Sequence, residues 1–202
     1  MKNNRLKTVV NDKISSLKKA APKANNKSSK NKNLKPFISS KKIQARVKQL
    51  ARQINKDYAG KVPIFIGVLN GSFIFISDLV REVKLNVEID FLKLSSYGDS
   101  KISSGEVRLL KDLNCQITGR DIIIVEDIID SGLSIKFIRD LILAHQPETL
   151  EFCALLMKKG LSNLSFNIKY TGFEIDNKFV VGYGLDFAQK YRNLREIAIL
   201  RN

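Results

Sequence analysis

Three carboxylates and a short hydroxyl-containing loop stand together in the middle of the chain. Glu126 and Asp127 follow the apolar run at 122–125, and Asp130 opens the loop Asp-Ser-Gly-Leu-Ser at 130–134. Carboxylates accept hydrogen bonds from sugar hydroxyls, and the amides of a glycine-containing loop at a helix N-terminus can hold a phosphate. The spacing therefore predicts a site for a phosphorylated polyol.

The elements around these residues predict how they are positioned. The run at 122–125 is β-branched and apolar at every position, which is typical of a strand buried on both faces of a parallel sheet. An apolar periodic run starts at Ile135, and Ser134 can cap it as a helix. The carboxylates are then expected where the strand ends, and open parallel sheets bind ligands at that edge.

The rest of the chain alternates between strand and helix patterns, which predicts a parallel, doubly wound sheet. Further strands are predicted at 64–69, 87–96, 107–113, 150–157, 179–181 and 197–200, and helices at 43–54 (with Ser40 as its cap), 73–83 and 135–144.

Two segments resemble a known family. Val-Glu-Asp-Ile-Ile-Asp-Ser-Gly-Leu-Ser at 125–134 resembles the phosphoribosyl pyrophosphate (PRPP) motif of type I phosphoribosyltransferases. Lys-Phe-Val-Val-Gly-Tyr-Gly-Leu-Asp-Phe at 178–187, followed by Tyr-Arg-Asn-Leu at 191–194, resembles the C-terminal signature of hypoxanthine-guanine phosphoribosyltransferases. The resemblance covers residues 37–200. It implies an α/β fold with a mainly parallel sheet flanked by helices, a small hood, and a mobile loop over the site.

The resemblance also implies which residues bind PRPP. Glu126 and Asp127 match the pair that binds the ribose hydroxyls, and Leu69-Asn70-Gly71 matches the pyrophosphate loop, where a cis peptide is expected between Leu69 and Asn70. Asn70 stands where relatives often carry a basic residue, so its neutral side chain removes a positive charge from this loop. The remaining PRPP residues implied are Asp130, Ser131, Gly132, Leu133 and Ser134 around the 5-phosphate, and Arg192 at the pyrophosphate.

A second group of residues is implied to handle a purine base and Mg²⁺. Asp130 matches the general base for the proton at purine N7, and Lys158 matches the donor to the 6-oxo group, with Lys159 as a one-residue alternative. The others are Phe179, which stacks on the base; Val180, whose backbone meets the purine edge; Asp186, the direct magnesium ligand; Glu126 and Asp127 as indirect ligands; and Ser96 and Tyr97 in the mobile loop.

Positive charge is concentrated in the N-terminal segment. Residues 1–35 hold eleven of the 35 basic residues and one acid, Asp12, so they carry +10 of the net +15. This composition predicts a basic, flexible extension at 1–35 ahead of a phosphoribosyltransferase domain at 36–202. Contact with nucleic acid or another anionic surface remains open, and organelle targeting is a weaker alternative because only Arg5 is an arginine.

Two functions remain open at this point. One is Mg²⁺-dependent purine salvage, which transfers the phosphoribosyl group of PRPP to hypoxanthine or guanine and gives IMP or GMP and pyrophosphate. The other is a PRPP-sensing regulator of the same fold that binds nucleic acid. A sensor needs the PRPP motif but not Asp130, Lys158, Phe179 and Asp186 together, so their joint presence favours the enzyme.

The sequence also predicts where the protein is located and how it associates. No apolar run approaches the roughly 20 residues that span a bilayer, so no membrane partner is expected. The two cysteines, Cys115 and Cys153, are interpreted as reduced thiols of a cytoplasmic protein. The family resemblance implies a homodimer or homotetramer.

Overall fold

The computed structural model describes residues 33–96, 107–160 and 164–201, with strand β5 (Asp121–Ile129) inside its main sheet. Successive side chains of β5 point to opposite faces of that sheet. Ile122 and Ile124 share a buried cluster with Ile135 and Ile138 of one helix. Ile123 and Val125 belong to a second cluster, which contains the buried faces of two other helices. Both faces are therefore covered, and the predicted doubly wound α/β fold is confirmed.

The main sheet has six strands in the order β4-β3-β2-β5-β6-β7. All neighbouring pairs are parallel except β3 and β4, which form an antiparallel hairpin at one edge. The elements in chain order are β1 (Leu34–Ile38), α1 (Ser40–Asp57), β2 (Ile64–Leu69), α2 (Phe73–Glu82), β3 (Glu88–Ser96), β4 (Val107–Lys111), β5, α3 (Leu133–Leu143), β6 (Thr149–Lys158), β7 (Tyr170–Ile175), β8 (Val180–Val181) and β9 (Ile197–Leu200).

A second sheet of three antiparallel strands has the order β1-β9-β8 and corresponds to the expected hood. Strand β1 was not predicted, and it runs across the predicted boundary between residues 35 and 36. Its pairing partners, such as Ile199 opposite Lys35, come from the far end of the chain. Because this pairing is non-local, the polar sequence before Phe37 gives no sign of it.

The acidic pair lies inside β5 and not after it, which corrects the predicted end of this strand. Pairing with β2 stops at Val125, opposite Gly67, but pairing with β6 continues as far as Ile129, opposite Met157. Strand β6 therefore extends β5 by four residues beyond the apolar run, and Glu126 and Asp127 lie in that extension.

Two predicted helix caps are also shifted. Ser39 caps α1: its backbone is extended, and its hydroxyl accepts a hydrogen bond from the Lys42 amide at 3.4 Å, so Ser40 is the first helical residue. Gly132 precedes α3 with φ +79°, a conformation that favours glycine, so Ser134 lies within the first turn. The cap residues are in each case determined by backbone geometry and not by residue type alone.

Strand β7 was missed, and its sequence explains why. Tyr170–Ile175 contains Gly172, which weakens a strand pattern. A Cβ at Gly172 would lie 2.3 Å from the carbonyl oxygen of Leu155 in β6, so this glycine allows the two backbones to approach. Apart from the C-terminal end of β5, the predicted strands agree with the structure to within two residues at each end. No helix among the described residues is long and apolar enough to cross a membrane.

Candidate active site

The C-terminal ends of three neighbouring parallel strands bring many of the predicted site residues to one edge of the sheet. Strand β2 ends at Leu69, β6 ends at Lys158, and Asp130 directly follows β5. Two pockets open at this edge. One of about 220 Å³ is lined by Asp127, Ile128, Asp130, Lys158, Lys178, Phe179, Val180, Leu185 and Asp186. The other, of about 70 Å³, is lined by Glu126, Ile128, Ile129, Asp130, Ser131, Gly132, Ser134 and Ile135.

The acidic pair is held at a free-energy cost. Asp127 is 9% exposed, and its Oδ1 accepts a hydrogen bond from the Ile128 amide at 2.9 Å. Oε2 of Glu126 is buried and has no hydrogen-bond partner. Burial raises the pKa of Glu126 well above its ordinary range, and the charge of Asp127 raises it further. Burial also raises the pKa of Asp127 to about 6, although the Ile128 amide opposes this change. Hydroxyl donors or a cation would relieve both groups.

The loop after β5 forms the smaller pocket at the beginning of α3. Gly132, at φ +79°, turns the chain so that the first amides of α3 follow directly. The Ser131 hydroxyl accepts a hydrogen bond from the Leu133 amide at 3.4 Å, and Ser134 lines the pocket. Leu133 itself is 46% exposed and does not line the pocket, so any contribution it makes to ligand binding comes from its backbone. Loop amides and a helix N-terminus together suit a phosphate dianion.

The short loop after β2 lies directly against the acidic pair. The peptide bond between Leu69 and Asn70 is cis, so this expectation from the family resemblance is confirmed. A Cβ on Gly71 would lie 1.7 Å from Oδ2 of Asp127, so only glycine allows this approach. Ser72 is fully buried, and its hydroxyl and its amide both donate to the Val68 carbonyl, at 2.6 and 3.3 Å, which anchors the end of this loop.

The larger pocket contains the predicted base-handling residues. Nζ of Lys158 lies 2.7 Å from Oδ1 of Asp130. The lysine side chain is 13% exposed, whereas the aspartate is 64% exposed, so the ammonium is inside and the carboxylate is at the opening. Lys159 points elsewhere and pairs with Asp176 at 3.0 Å. The structure therefore favours Lys158 over Lys159 as the pocket lysine.

Asp186 and Arg192 form a second ion pair beside this pocket. Nη2 of Arg192 lies 2.7 Å from Oδ1 of Asp186, and Nη1 donates to the Gly184 carbonyl at 2.8 Å. The other carboxylate oxygen of Asp186 accepts a hydrogen bond from the Gln189 amide at 2.8 Å. A Cβ on Gly184 would lie 2.0 Å from the carbonyl oxygen of Gly71, so this segment packs on the loop after β2.

Sequence reasoning missed three residues that line the larger pocket: Ile128, Lys178 and Leu185. Ile128 stands between Asp127 and Asp130, and an apolar residue flanked by carboxylates at a strand end is a signal that could have identified it. Leu185 precedes Asp186 in the quoted C-terminal segment, and Lys178 opens that segment. Each has a neighbour in sequence that was already assigned to the site.

The predicted mobile loop is only partly described. Ser96 is the last residue of β3, and Tyr97 lies outside the described residues. Their proposed contribution to closure therefore stays a prediction.

The fold is that of a type I phosphoribosyltransferase. The family model for the phosphoribosyl transferase domain matches residues 38–188. The solved structure of a hypoxanthine-guanine phosphoribosyltransferase from Bacillus anthracis is similar to this chain with a TM-score of 0.78 and 46% identity, covering 82% of this chain and 98% of that one. This chain belongs to the phosphoribosyltransferase family.

Curated relatives indicate the branch of the family. The hypoxanthine-guanine phosphoribosyltransferase of Bacillus subtilis is 41% identical over 167 residues, which cover 83% of this chain and 93% of that protein. The bifunctional protein TilS/HprT of Listeria innocua is 42% identical over the same length, but the chain spans only 26% of it. The chain therefore matches nearly all of one relative and about a quarter of the other.

Proposed function

We propose that this chain is a hypoxanthine-guanine phosphoribosyltransferase, which transfers the 5-phosphoribosyl group of PRPP to hypoxanthine or guanine. The products would be IMP or GMP and pyrophosphate. The observation that carries the proposal is the ion pair between Lys158 and Asp130, 2.7 Å apart, in the pocket that Phe179 lines. A proton donor and a proton acceptor at this distance match the 6-oxo group and N7 of one purine edge.

The phosphoribose half of the substrate fits the acidic pair and the loop after it. The 2- and 3-hydroxyls of ribose would donate to Glu126 and Asp127, which include a buried oxygen without a partner. The 5-phosphate would bind the amides and hydroxyls of residues 130–134 at the beginning of α3. Negative charge on the pair also favours the positive charge that develops on the sugar ring in the transition state.

The bond changes balance without a redox partner. The lone pair of purine N9 forms a bond to C1 of the ribose, while the bond from C1 to pyrophosphate breaks and the pyrophosphate oxygen keeps the electron pair. The proton at N7 passes to Asp130 as a general base. Lys158 donates to the 6-oxo group, Phe179 stacks on the ring, and the backbone of Val180 meets the purine edge.

This arrangement selects against adenine. The 6-amino group of adenine is itself a donor, so Lys158 would face a donor and stay unpaired. A site built to donate to an oxygen discriminates strongly against a base that lacks one.

Pyrophosphate would bind the backbone amides of Leu69, Asn70 and Gly71, with Arg192 adding a guanidinium fork. The neutral Asn70 leaves Arg192 as the cation that we assign to this group. In that state Arg192 would exchange its partner Asp186 for phosphate oxygens, which would free a carboxylate oxygen.

The residues fit a bound Mg²⁺ with Asp186 as direct ligand and Glu126 and Asp127 as indirect ones. No cluster of three or more metal-ligating side chains occurs within the described residues, but Mg²⁺ usually keeps several waters and takes one or two carboxylates plus substrate phosphates. When bound, the ion supplies positive charge that neutralises the leaving pyrophosphate. The unpartnered Oε2 of Glu126 is the observation that supports a cation or a hydroxyl donor nearby.

The cellular location, oligomeric state and domain division of the enzyme are also part of the proposal. We infer a cytoplasmic enzyme that forms a homodimer or homotetramer, with residues 1–35 as an extension ahead of the catalytic domain at 36–202. The family match from residue 38 supports this division. The alternative of a regulator that binds nucleic acid gains no support from the relatives, and contact between the extension and nucleic acid stays a prediction.

The test is nucleotide formation from PRPP and Mg²⁺ with hypoxanthine, guanine, xanthine or adenine, with products identified by chromatography. We expect IMP from hypoxanthine or GMP from guanine, and little or no AMP. Adenine as the preferred base would contradict the assignment of Lys158. PRPP binding without turnover of any base would favour the regulator.

A further inference from the structure

We propose that Phe187 is a positioning residue that holds the stacking ring of Phe179 over the base pocket. The inference rests on the proposed function and adds a determinant of base affinity to it. The observation that carries it is an edge-to-face contact between the two rings, with centroids 5.8 Å apart and an interplanar angle of 90°.

Phe179 has a fixed backbone but a side chain that projects from the surface. Its carbonyl accepts a hydrogen bond from the Leu200 amide at 3.1 Å, which ties this position to strand β9. Its ring is nevertheless 55% exposed, so the hydrophobic core does not fix its rotamer. A stacking platform of this kind needs another contact if it is to present one face to the purine.

Phe187 supplies that contact from a rigid turn. Phe187 and Lys190 exchange two backbone hydrogen bonds, of 3.2 and 3.0 Å, across a two-residue loop. Ala188 and Gln189 have φ of +50° and +63°, as both central residues of a type I′ turn require. The amide of Gln189 also donates to Oδ2 of Asp186, so the turn is anchored on the carboxylate next to Phe187.

The perpendicular geometry of the contact suits Phe187 to hold the ring of Phe179 in place. An edge-to-face pair restricts rotation of the Phe179 ring and leaves at least one of its faces free to stack. Phe187 does not line the base pocket, so it would act only through Phe179. Phe187 is 50% exposed, and covering of this ring by a second copy of the chain is the competing explanation for an apolar residue here.

The test is a double-mutant cycle with Phe179→Leu, Phe187→Leu and the double variant. We expect Phe187→Leu to raise the KM for hypoxanthine by about threefold to tenfold, the range of one aromatic pair, with the KM for PRPP unchanged. If Phe187 acts through Phe179, the double variant should be no worse than Phe179→Leu alone. Phe187→Tyr keeps the aromatic ring and should retain the wild-type KM.

The control is Leu143→Ala, which removes an apolar side chain that is 40% exposed at the end of α3. It should leave both KM values unchanged. Three results would overturn the inference. The first is additive effects in the cycle, and the second is an unchanged KM for hypoxanthine in Phe187→Leu. The third is a change in sedimentation coefficient that accompanies the rise in KM. An inactive wild-type protein would overturn the proposed function itself, and this inference with it.

Discussion

The two halves of the site hold their charged groups in opposite ways. The phosphoribose side, which is Glu126 and Asp127 beneath Gly71, keeps a buried acidic pair with one oxygen unpartnered. The base side, which is Asp130 with Lys158, keeps an ion pair of 2.7 Å.

The difference indicates what each substrate must do on arrival. A ligand with hydroxyl donors or an accompanying cation satisfies the phosphoribose side, so its binding relieves a cost that the folded protein already carries. A base, by contrast, must replace hydrogen bonds that Lys158 and Asp130 already make with each other. Base binding would therefore exchange one set of hydrogen bonds for another. The selectivity of this side would depend on whether the hydrogen bonds to the base are as strong as the one between Lys158 and Asp130.

The largest effect that we predict is on the phosphoribose side, from Gly71→Ala. The added Cβ would overlap Oδ2 of Asp127, so the Asp127 carboxylate or the loop after β2 must move. A displacement of about 1 Å can cost about 100-fold in rate, and we expect kcat/KM for PRPP to fall by at least about 100-fold. Steady-state kinetics test this, with Ser77→Ala on the exposed side of α2 as control. Wild-type kinetics in Gly71→Ala would show that the close approach has no functional importance.

The second prediction tests whether the acidic pair costs stability. The folded pKa of Asp127 is about 6, above its ordinary 3.8, so the folded protein binds more protons than the unfolded chain between these values. The cost therefore grows as pH rises through this window and is complete above it, at about 3 kcal/mol. At pH 7.5 the free energy of unfolding of Asp127→Asn should exceed that of wild type by up to about 3 kcal/mol. Near pH 3.5 the two proteins should be equally stable. The affinity of the variant for PRPP should be weaker than that of wild type.

Urea unfolding at both pH values measures the stability difference, and calorimetry measures PRPP affinity. Asp140→Asn is the matched control, because the side chain of Asp140 is 78% exposed. If Asp127→Asn is less stable than wild type at pH 7.5, the contrast between the two halves is wrong.

The third prediction concerns the base side and uses two adjacent lysines. A hydrogen bond from a charged donor contributes about 1.5–3 kcal/mol, so Lys158→Met should raise the KM for hypoxanthine by about tenfold to 100-fold. The KM for PRPP should stay within about twofold, and discrimination against adenine should fall. Lys159→Met removes the neighbouring ammonium, which is 60% exposed and pairs with Asp176, and should change neither value. The opposite pattern would assign the base contact to Lys159.

The smallest predicted effect comes from a contact between the segment before Asp186 and helix α2. The buried Tyr183 hydroxyl donates to Oδ2 of Asp78 in α2 at 2.7 Å, and Gln44 also donates to this carboxylate, at 2.6 Å. Tyr183→Phe should lower the free energy of unfolding by about 1 kcal/mol, because Asp78 keeps its other donors. We expect kcat/KM to change less than threefold. A tenfold loss of activity would show that this hydroxyl positions the site.

The sequence alone was enough to predict five of the six strands described in the main sheet, because their signals are local. The run at 122–125 is apolar at every position, and the structure places it between two helical layers. The end of β5 could not be predicted, because the pairing with β6 beyond Val125 is a non-local contact. Strands β1 and β7 were missed for similar reasons: one pairs with the far end of the chain, and the other contains Gly172.

In the site, too, local features could be predicted and contacts between distant segments could not. The motifs indicated residues that the structure places at the strand ends, and the family resemblance implied the cis peptide between Leu69 and Asn70. The motifs did not indicate that Lys158 contacts Asp130, or that the ring of Phe187 meets Phe179. Those contacts depend on side-chain geometry between segments, and only the three-dimensional structure supplies it.

The most direct test of the central claim is the rate of IMP formation by Asp130→Asn with PRPP, Mg²⁺ and hypoxanthine, beside wild type and the Asp140→Asn control. Loss of a general base costs about 100-fold to 10,000-fold, so kcat should fall by that factor while PRPP affinity stays close to wild type. Asp140→Asn should be as active as wild type. If Asp130→Asn keeps the wild-type kcat, Asp130 does not remove the purine proton, and the assignment of the site to this reaction is contradicted.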